Sequence, residues 1–118
     1  MKESQLQREV RVALSAPGQV FFRNNIGEAE FWNEHQERPD HVAYGVGGAG
    51  GSDLLGIVGG RWTALELKAP GARTKPARAA LQEQFRRLVR SAGGFATVVR
   101  SVDEALAAVA RCRAGESE

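Results

Sequence analysis

The chain has 118 residues, which suits one domain with a single hydrophobic core. Its composition, 42% hydrophobic and 25% charged, is ordinary for a globular protein, and no apolar run approaches the ~18–20 residues of a membrane span. The net charge is +2, and the single cysteine excludes an intramolecular disulfide and a cysteine-based zinc cluster. With one cysteine and no signal-peptide pattern at the N-terminus, we expect a cytoplasmic protein.

The first half of the chain predicts a helix, a strand and a long irregular segment. Residues 3–15 carry apolar side chains at helical spacing (Leu6, Val10, Ala13 and Leu14). Residues 19–23 predict a strand. Residues 28–52 are the least regular, and their glycine-rich end indicates either mobility or a close approach of the backbone to something else. No Gly-Lys-Ser/Thr follows those glycines, so a phosphate-binding P-loop is not supported.

The second half predicts a hairpin, a helix, a strand and a final helix. Gly59-Gly60 is typical of a tight turn between strands at 53–58 and 61–68. A helix over 77–92, a strand over 95–100 and a helix ending near Arg113 follow. The α-β-β-β-α-β-α order predicts an α/β domain over residues 1–114, with a mixed sheet flanked by helices and a disordered tail at 115–118. The expected inward residues of the last two helices are Leu81, Phe85, Leu88, Val89 and Ala92, then Val102, Ala105, Leu106, Val109 and Cys112.

The hairpin register gives a chemical hypothesis. Counting outward from the turn, Asp53 faces Glu66, and Lys68 lies on the same face of the sheet. Directly opposed like charges are destabilising, and a divalent cation would stabilise them. The alternative is a cross-strand salt bridge. Glu3 falls within the apolar stripe of the first helix, which suggests a further carboxylate at the site; alternatively it complements the helix dipole at a frayed start.

Basic residues are concentrated after the hairpin. Between Lys68 and Arg90 the chain carries seven basic side chains, with Glu83 as the one acid among them. Such an excess suits a polyanion such as DNA. A solvated helix face is the alternative.

Together these residues resemble the PD-(D/E)xK nuclease superfamily, and the chain is similar over nearly its whole length to a stand-alone VRR-NUC (virus-type replication-repair nuclease) domain. Pro39-Asp40 spells the literal motif, but it lies far from Glu66 in sequence, so Asp53 is the expected acid and Ser52 stands in the proline position. The resemblance rests on Glu3 with Gln7, Arg23-Asn24-Asn25 with Gly27, residues 51–56, Glu66-Leu67-Lys68, Gln82 with Phe85, and Gly93-Gly94.

The resemblance implies a restriction-endonuclease-like core and an Mg²⁺- or Mn²⁺-dependent DNA endonuclease. Stand-alone members look like bacterial or phage-encoded homodimers that cut branched DNA, Holliday junctions in particular, in DNA repair. Asp53, Glu66 and the Leu67 carbonyl would bind the metal, with Glu3 as a further ligand directly or through water. Lys68 would be the catalytic lysine, with Gln82 beside it. The residues expected to contact DNA are Arg23, Asn24, Asn25, Arg73, Lys75, Arg78 and Arg86.

Two other functions remain open at this point. One is a catalytically inactive nuclease fold that only binds DNA; the other is a salt-bridged α/β domain that acts through protein partners. Phe31 and Trp32 match no expected function, and they suggest either packing within an extra hairpin or a dimer contact.

Overall fold

The glycine pair closes the central hairpin of the protein. In the computed structural model, which describes residues 1–118, Gly59 and Gly60 have φ of 55° and 81°, the positive values that a primed turn requires. The strands β4 (Leu54–Val58) and β5 (Arg61–Leu67) pair in the predicted register, with Val58 opposite Arg61 and Leu54 opposite Leu65.

Two further strands complete a four-stranded mixed sheet of order β1-β4-β5-β6. β1 (Gln19–Arg23) runs antiparallel to β4, and β6 (Phe95–Val99) runs parallel to β5. Parallel neighbours need a long crossover, which the helix α2 (Pro76–Ser91) provides between β5 and β6.

Helices cover both faces of this sheet, as predicted. The helices α1 (Glu3–Ala13) and α3 (Val102–Arg113) pack against one face of the sheet and form the larger apolar core with it. The helix α2 packs against the other face, where a smaller apolar core lies. None of the three helices combines the length and apolar character that crossing a membrane requires. The larger core contains Leu6, Val10, Leu14, Leu54, Val58, Leu65, Leu67, Phe95, Val99, Ala105, Ala108, Val109 and Cys112.

The segment expected to be irregular contains a second hairpin, so the predicted element order lacks two strands. β2 (Gly27–Asn33) and β3 (Arg38–Tyr44) form a separate two-stranded sheet. Residues 34–37 connect them, with Glu37 at φ 50°. Asn33 Oδ1 accepts hydrogen bonds from the backbone N–H groups of His35 and Gln36, which closes the turn without glycine.

Two predicted helix faces need correction. On α2, Leu81 and Leu88 are 46% and 61% exposed, whereas the polar Gln82 and Arg86 are buried beside Val89. On α3, Leu106 is 46% exposed and Ala108 is buried instead. A prediction from hydrophobicity alone was wrong for both helices. The buried face of α2 includes polar side chains, and the buried face of α3 consists largely of small side chains.

The expected disordered tail instead contacts the outer edge of the sheet. The Ser117 carbonyl accepts a hydrogen bond from Ala96 N of β6, and Glu118 forms an ion pair with Arg90 at 2.9 Å. Arg61 also donates to the Glu116 carbonyl. The tail therefore covers part of an otherwise unpaired strand edge, which explains why a polar segment is held in place.

Candidate metal and nucleic-acid site

Two carboxylates lie side by side where β4 begins and β5 ends. Alternation along β5 directs Leu65 and Leu67 into the core with α1 and α3, so Glu66 points towards α2, where it is 2% exposed. Asp53 immediately precedes β4, and its Oδ2 accepts a hydrogen bond from Leu67 N at 2.7 Å. The predicted register therefore brings Asp53 next to Glu66, and their charges interact.

A chain of hydrogen bonds joins Glu66 to α2 and to the loop before it. Gln82 Nε2 donates to Glu66 Oε1 at 3.0 Å, and Lys68 Nζ donates to Gln82 Oε1 at 3.1 Å and to Thr74 Oγ1 at 2.6 Å. Lys68 Nζ also lies 3.5 Å from Glu66 Oε1. The site thus contains Lys68 and Gln82 as predicted. Thr74 was missed, since nothing in its spacing from Lys68 distinguishes it from other loop hydroxyls.

Glu66 has one oxygen with no protein partner. Its Oε2 is buried and accepts no hydrogen bond. Burial, and then the neighbouring charge of Asp53, raise the pKa of Glu66 from 4.5 to about 8, against the opposing effect of Lys68. A buried carboxyl without enough donors is costly to ionise, so this group favours either a proton or a cation at Oε2.

Glu3 is near the acidic pair but is not established as a direct ligand. It opens α1 with an exposed side chain, and its pKa is raised by partial burial and by Asp53, with Lys68 and Arg78 acting in the opposite direction. No group of three or more histidine, cysteine, aspartate or glutamate side chains is arranged to hold a metal ion. Of the four expected ligands, Asp53, Glu66 and Leu67 lie together where β4 begins and β5 ends, and Glu3 is close enough to Asp53 for their charges to interact.

A cavity of about 390 Å³ opens onto Glu66 and Lys68. Its rim is basic, because the loop after β5 and the first turn of α2 supply Arg73, Lys75 and Arg78, all of them exposed. The cavity-lining residues are Glu3, Glu66, Lys68, Ala72, Arg73, Thr74, Lys75, Arg78 and Gln82.

Arg86 does not belong to that rim. Its side chain is 11% exposed and its Nη2 lies 2.9 Å from Glu83 Oε2. Glu83 also pairs with Arg87 and Arg90 at 3.3 and 3.5 Å, and the hydrogen bond from Arg86 contributes most to lowering the pKa of Glu83. The basic excess seen in the sequence therefore divides into a rim without carboxylate partners and a cluster of three arginines that share Glu83. Arg86 lies in that cluster, which makes the expected DNA contact sterically and electrostatically unfavourable.

The residues at the end of β1 also differ from one another. Arg23 and Asn25 are exposed and free to contact a ligand. Asn24 uses its side chain within the protein: Nδ2 donates to the carbonyls of Val46 and Ser52 at 2.8 and 2.9 Å, and Oδ1 accepts from Val46 N at 2.9 Å. An amide so engaged has little capacity left for DNA.

The glycine-rich segment, residues 45–51, packs closely against other parts of the protein at Gly50 and Gly51. A Cβ at Gly50 would lie 2.5 Å from the Leu81 carbonyl oxygen, and one at Gly51 would lie 2.0 Å from that of Val46. These contacts explain the glycines by close packing against α2 and within the loop.

Asp40 of the literal Pro-Asp pair lies outside the site. It is in β3 opposite Phe31, in the sheet that lacks Glu66, and the hydrogen bond from Asn33 holds its pKa below the usual range.

Comparison with protein-family models gives no match to this chain, and comparison with curated proteins gives none either.

Proposed function

We propose that this protein is an Mg²⁺- or Mn²⁺-dependent DNA endonuclease of the PD-(D/E)xK type, similar to stand-alone VRR-NUC domains. The observation that carries the proposal is the buried, unpartnered Oε2 of Glu66, beside Asp53 and Lys68 and at the end of a basic cavity. Of the two partners that Oε2 could take, a proton or a cation, a cation would also compensate the neighbouring charge of Asp53.

The donor set fits a hard divalent cation. Mg²⁺ typically uses one or two protein carboxylates and keeps several waters, so Asp53, Glu66 and the Leu67 carbonyl suffice without a third side chain. Glu3 would contribute through water. A cation held there polarises a phosphoryl oxygen and lowers the pKa of bound water.

Lys68 supplies the second element of the proposed chemistry. An ammonium has three donors, and Thr74 and Gln82 take two of them. Glu66 Oε1 lies 3.5 Å from Nζ, so the third N–H would be shared between that carboxylate and a phosphate oxygen or the attacking water. Because Thr74 and Gln82 both accept hydrogen bonds from Lys68 Nζ, the ammonium is already oriented. It would need little reorganisation to stabilise the negative charge that develops on the phosphoryl group.

The basic rim supports a nucleic-acid substrate. Arg73, Lys75 and Arg78 surround the cavity mouth without a carboxylate partner among the ion pairs of the protein. Contacts from such side chains to backbone phosphates supply affinity without sequence preference. That pattern suits an enzyme that selects DNA by its shape.

Branched DNA is the proposed substrate, and a homodimer is the proposed form. A symmetric four-way junction needs two cuts, which a two-fold dimer supplies. The β2–β3 hairpin supports a dimer: Phe31, Val42 and Tyr44 share one face of it and are 45% to 50% exposed. Isolated two-stranded hairpins are marginally stable in water, so this apolar face would gain from a partner.

The test is cleavage by the purified protein of a four-way junction, a flap and a linear duplex, with and without Mg²⁺ or Mn²⁺. We expect metal-dependent cutting of the junction, abolished by Asp53→Asn and retained by Asp103→Asn, a matched change at an exposed acid of α3. Equal cutting of all three DNAs would refute branch selectivity. DNA binding without cleavage in any metal would favour the inactive DNA-binding module instead.

A further inference from the structure

Asn24 links the end of β1 to two other parts of the chain, the loop at Val46 and the segment at Ser52 and Asp53. It follows β1 directly, and its backbone N–H donates to the Asp53 carbonyl at 2.8 Å, one step beyond the Arg23–Leu54 pair of the β1–β4 ladder. Its side chain then bonds the backbone of Val46 and of Ser52. One asparagine thus makes four hydrogen bonds to residues 46–53.

The segment 51–53, which Asn24 contacts, belongs to no helix or strand that would fix its backbone. Residues 51–53 lie between a 3-10 turn at Gly48–Gly50 and the start of β4. Gly51 is buried so tightly that an added Cβ would lie 3.0 Å from Asn24 Nδ2. The side chain of Asn24 therefore replaces the ladder hydrogen bonds that a strand would provide at this point.

We infer that Asn24 is a positioning residue for Asp53, which it holds opposite Glu66 by clamping the backbone of residues 46–53. The inference rests on the proposed metal-dependent function. The carboxylate of Asp53 is fixed on one side by Leu67 N, and its backbone is fixed on the other by Asn24. Losing the clamp frees the segment that carries Asp53 and widens the distribution of distances to Glu66.

This role differs from the direct DNA contact that the sequence suggests. A positioning residue that supports a ligand typically changes metal affinity by about 10- to 100-fold. A phosphate contact would instead change DNA affinity and its salt dependence. The positioning role predicts a change in metal affinity, whereas the DNA-contact role predicts a change in DNA affinity. Both affinities can be measured without cleavage.

The experiment titrates Mn²⁺ into DNA-free protein by calorimetry and, separately, measures junction binding in Ca²⁺. Gln84→Ala is the control, because Gln84 is an exposed amide of α2 that lies outside both the site and the β2–β3 hairpin. We expect Asn24→Ala to weaken Mn²⁺ binding at least 10-fold while DNA affinity stays within twofold, and Gln84→Ala to change neither.

Circular dichroism checks folding, and Asn24→Ser replaces Asn24→Ala if the latter is unfolded. Unchanged Mn²⁺ affinity in the Asn24 variant, with a wild-type protein that binds the ion, would overturn the positioning role. Weaker DNA binding with unchanged Mn²⁺ affinity would restore the DNA-contact role. A wild-type protein that binds no Mn²⁺ would count against the proposed function itself.

Discussion

Gln82 Nε2 donates to Glu66 Oε1 at 3.0 Å while Gln82 Oε1 accepts from Lys68, so one amide of α2 orients both the buried acid of β5 and the lysine that follows this strand. Gln82 is itself 3% exposed. Its two contacts cannot be replaced by water without opening the helix–sheet interface. The amide is thus a structural and a functional link between α2 and the candidate site.

Replacing Gln82 should therefore affect stability and activity together. Gln82→Ala leaves Glu66 Oε1 and Lys68 short of a partner, and we expect a loss of about 2 kcal/mol in the free energy of unfolding. Cleavage should fall about 10-fold or more, because both groups lose their orientation. Urea denaturation and single-turnover assays measure the two effects. Gln84→Ala, at an exposed position of the same helix, should change neither.

Lys68→Ala should separate catalysis from binding. Removing one preorganised donor to a developing charge typically lowers kcat about 10²- to 10³-fold. Junction affinity in Ca²⁺ should change far less, since the rim residues remain. A matched fall in affinity and in kcat would instead mean that Lys68 acts mainly as a phosphate contact.

DNA binding should depend on salt through the rim residues and not through Arg86, which is paired with Glu83. Arg78→Ala and Lys75→Ala should each reduce the slope of log Kobs against log salt by about 0.9. Arg86→Ala should leave that slope unchanged, because its guanidinium is buried against Glu83. Fluorescence anisotropy at several salt concentrations provides the comparison. A slope that falls for Arg86→Ala alone would reverse our division of the basic residues.

The metal-free protein should lose stability as pH rises. The folded-state pKa of Glu66, about 8, is above the usual 4.5 of a glutamate, so the stability that its protonation contributes is fully present below about 4.5 and is lost as pH rises through about 8. Glu66→Gln keeps the uncharged shape, so its stability should be less pH-dependent across this window. Thermal unfolding in EDTA between pH 4.5 and 9 measures the difference.

The same substitution should abolish cleavage. A variant that is more stable than wild type at pH 8 in EDTA, yet inactive, is the expected signature of a carboxylate kept for function. Glu30→Gln, an exposed acid of the hairpin, should alter neither the pH dependence nor the activity. Wild-type stability that rises between pH 5 and 8 relative to Glu66→Gln would contradict the account.

The hairpin predicts a concentration-dependent dimer. Phe31→Ser with Val42→Ser should leave the unfolding midpoint of the monomer nearly unchanged, because both side chains are half exposed. In light scattering, the same pair should convert a dimer into a monomer. Trp32→Ser is the contrasting variant, since strand alternation places Trp32 on the opposite, more acidic face of the hairpin. A monomeric wild-type protein would refute the proposed dimer.

The predictable parts of this structure are those fixed by local chemistry. The Gly59-Gly60 turn determines the register that places Asp53 beside Glu66, and both could be read from the sequence. The β2–β3 hairpin was suggested only by Phe31 and Trp32 and had no predicted strand bounds, because it has no glycine turn and its strands lack a clean alternation. The buried position of Gln82 on α2 was not predicted, because its partners Glu66 and Lys68 are 16 and 14 residues away and the periodicity of the helix does not reveal them.

The most direct test of the site is an anomalous difference map from a crystal soaked in Mn²⁺. We expect one or more anomalous peaks within ligand distance of Asp53 and Glu66, adjacent to the Leu67 carbonyl, and no peak there in Asp53→Asn. A fully soaked crystal with no ion between Asp53 and Glu66, or with the ion bound only elsewhere, would contradict it.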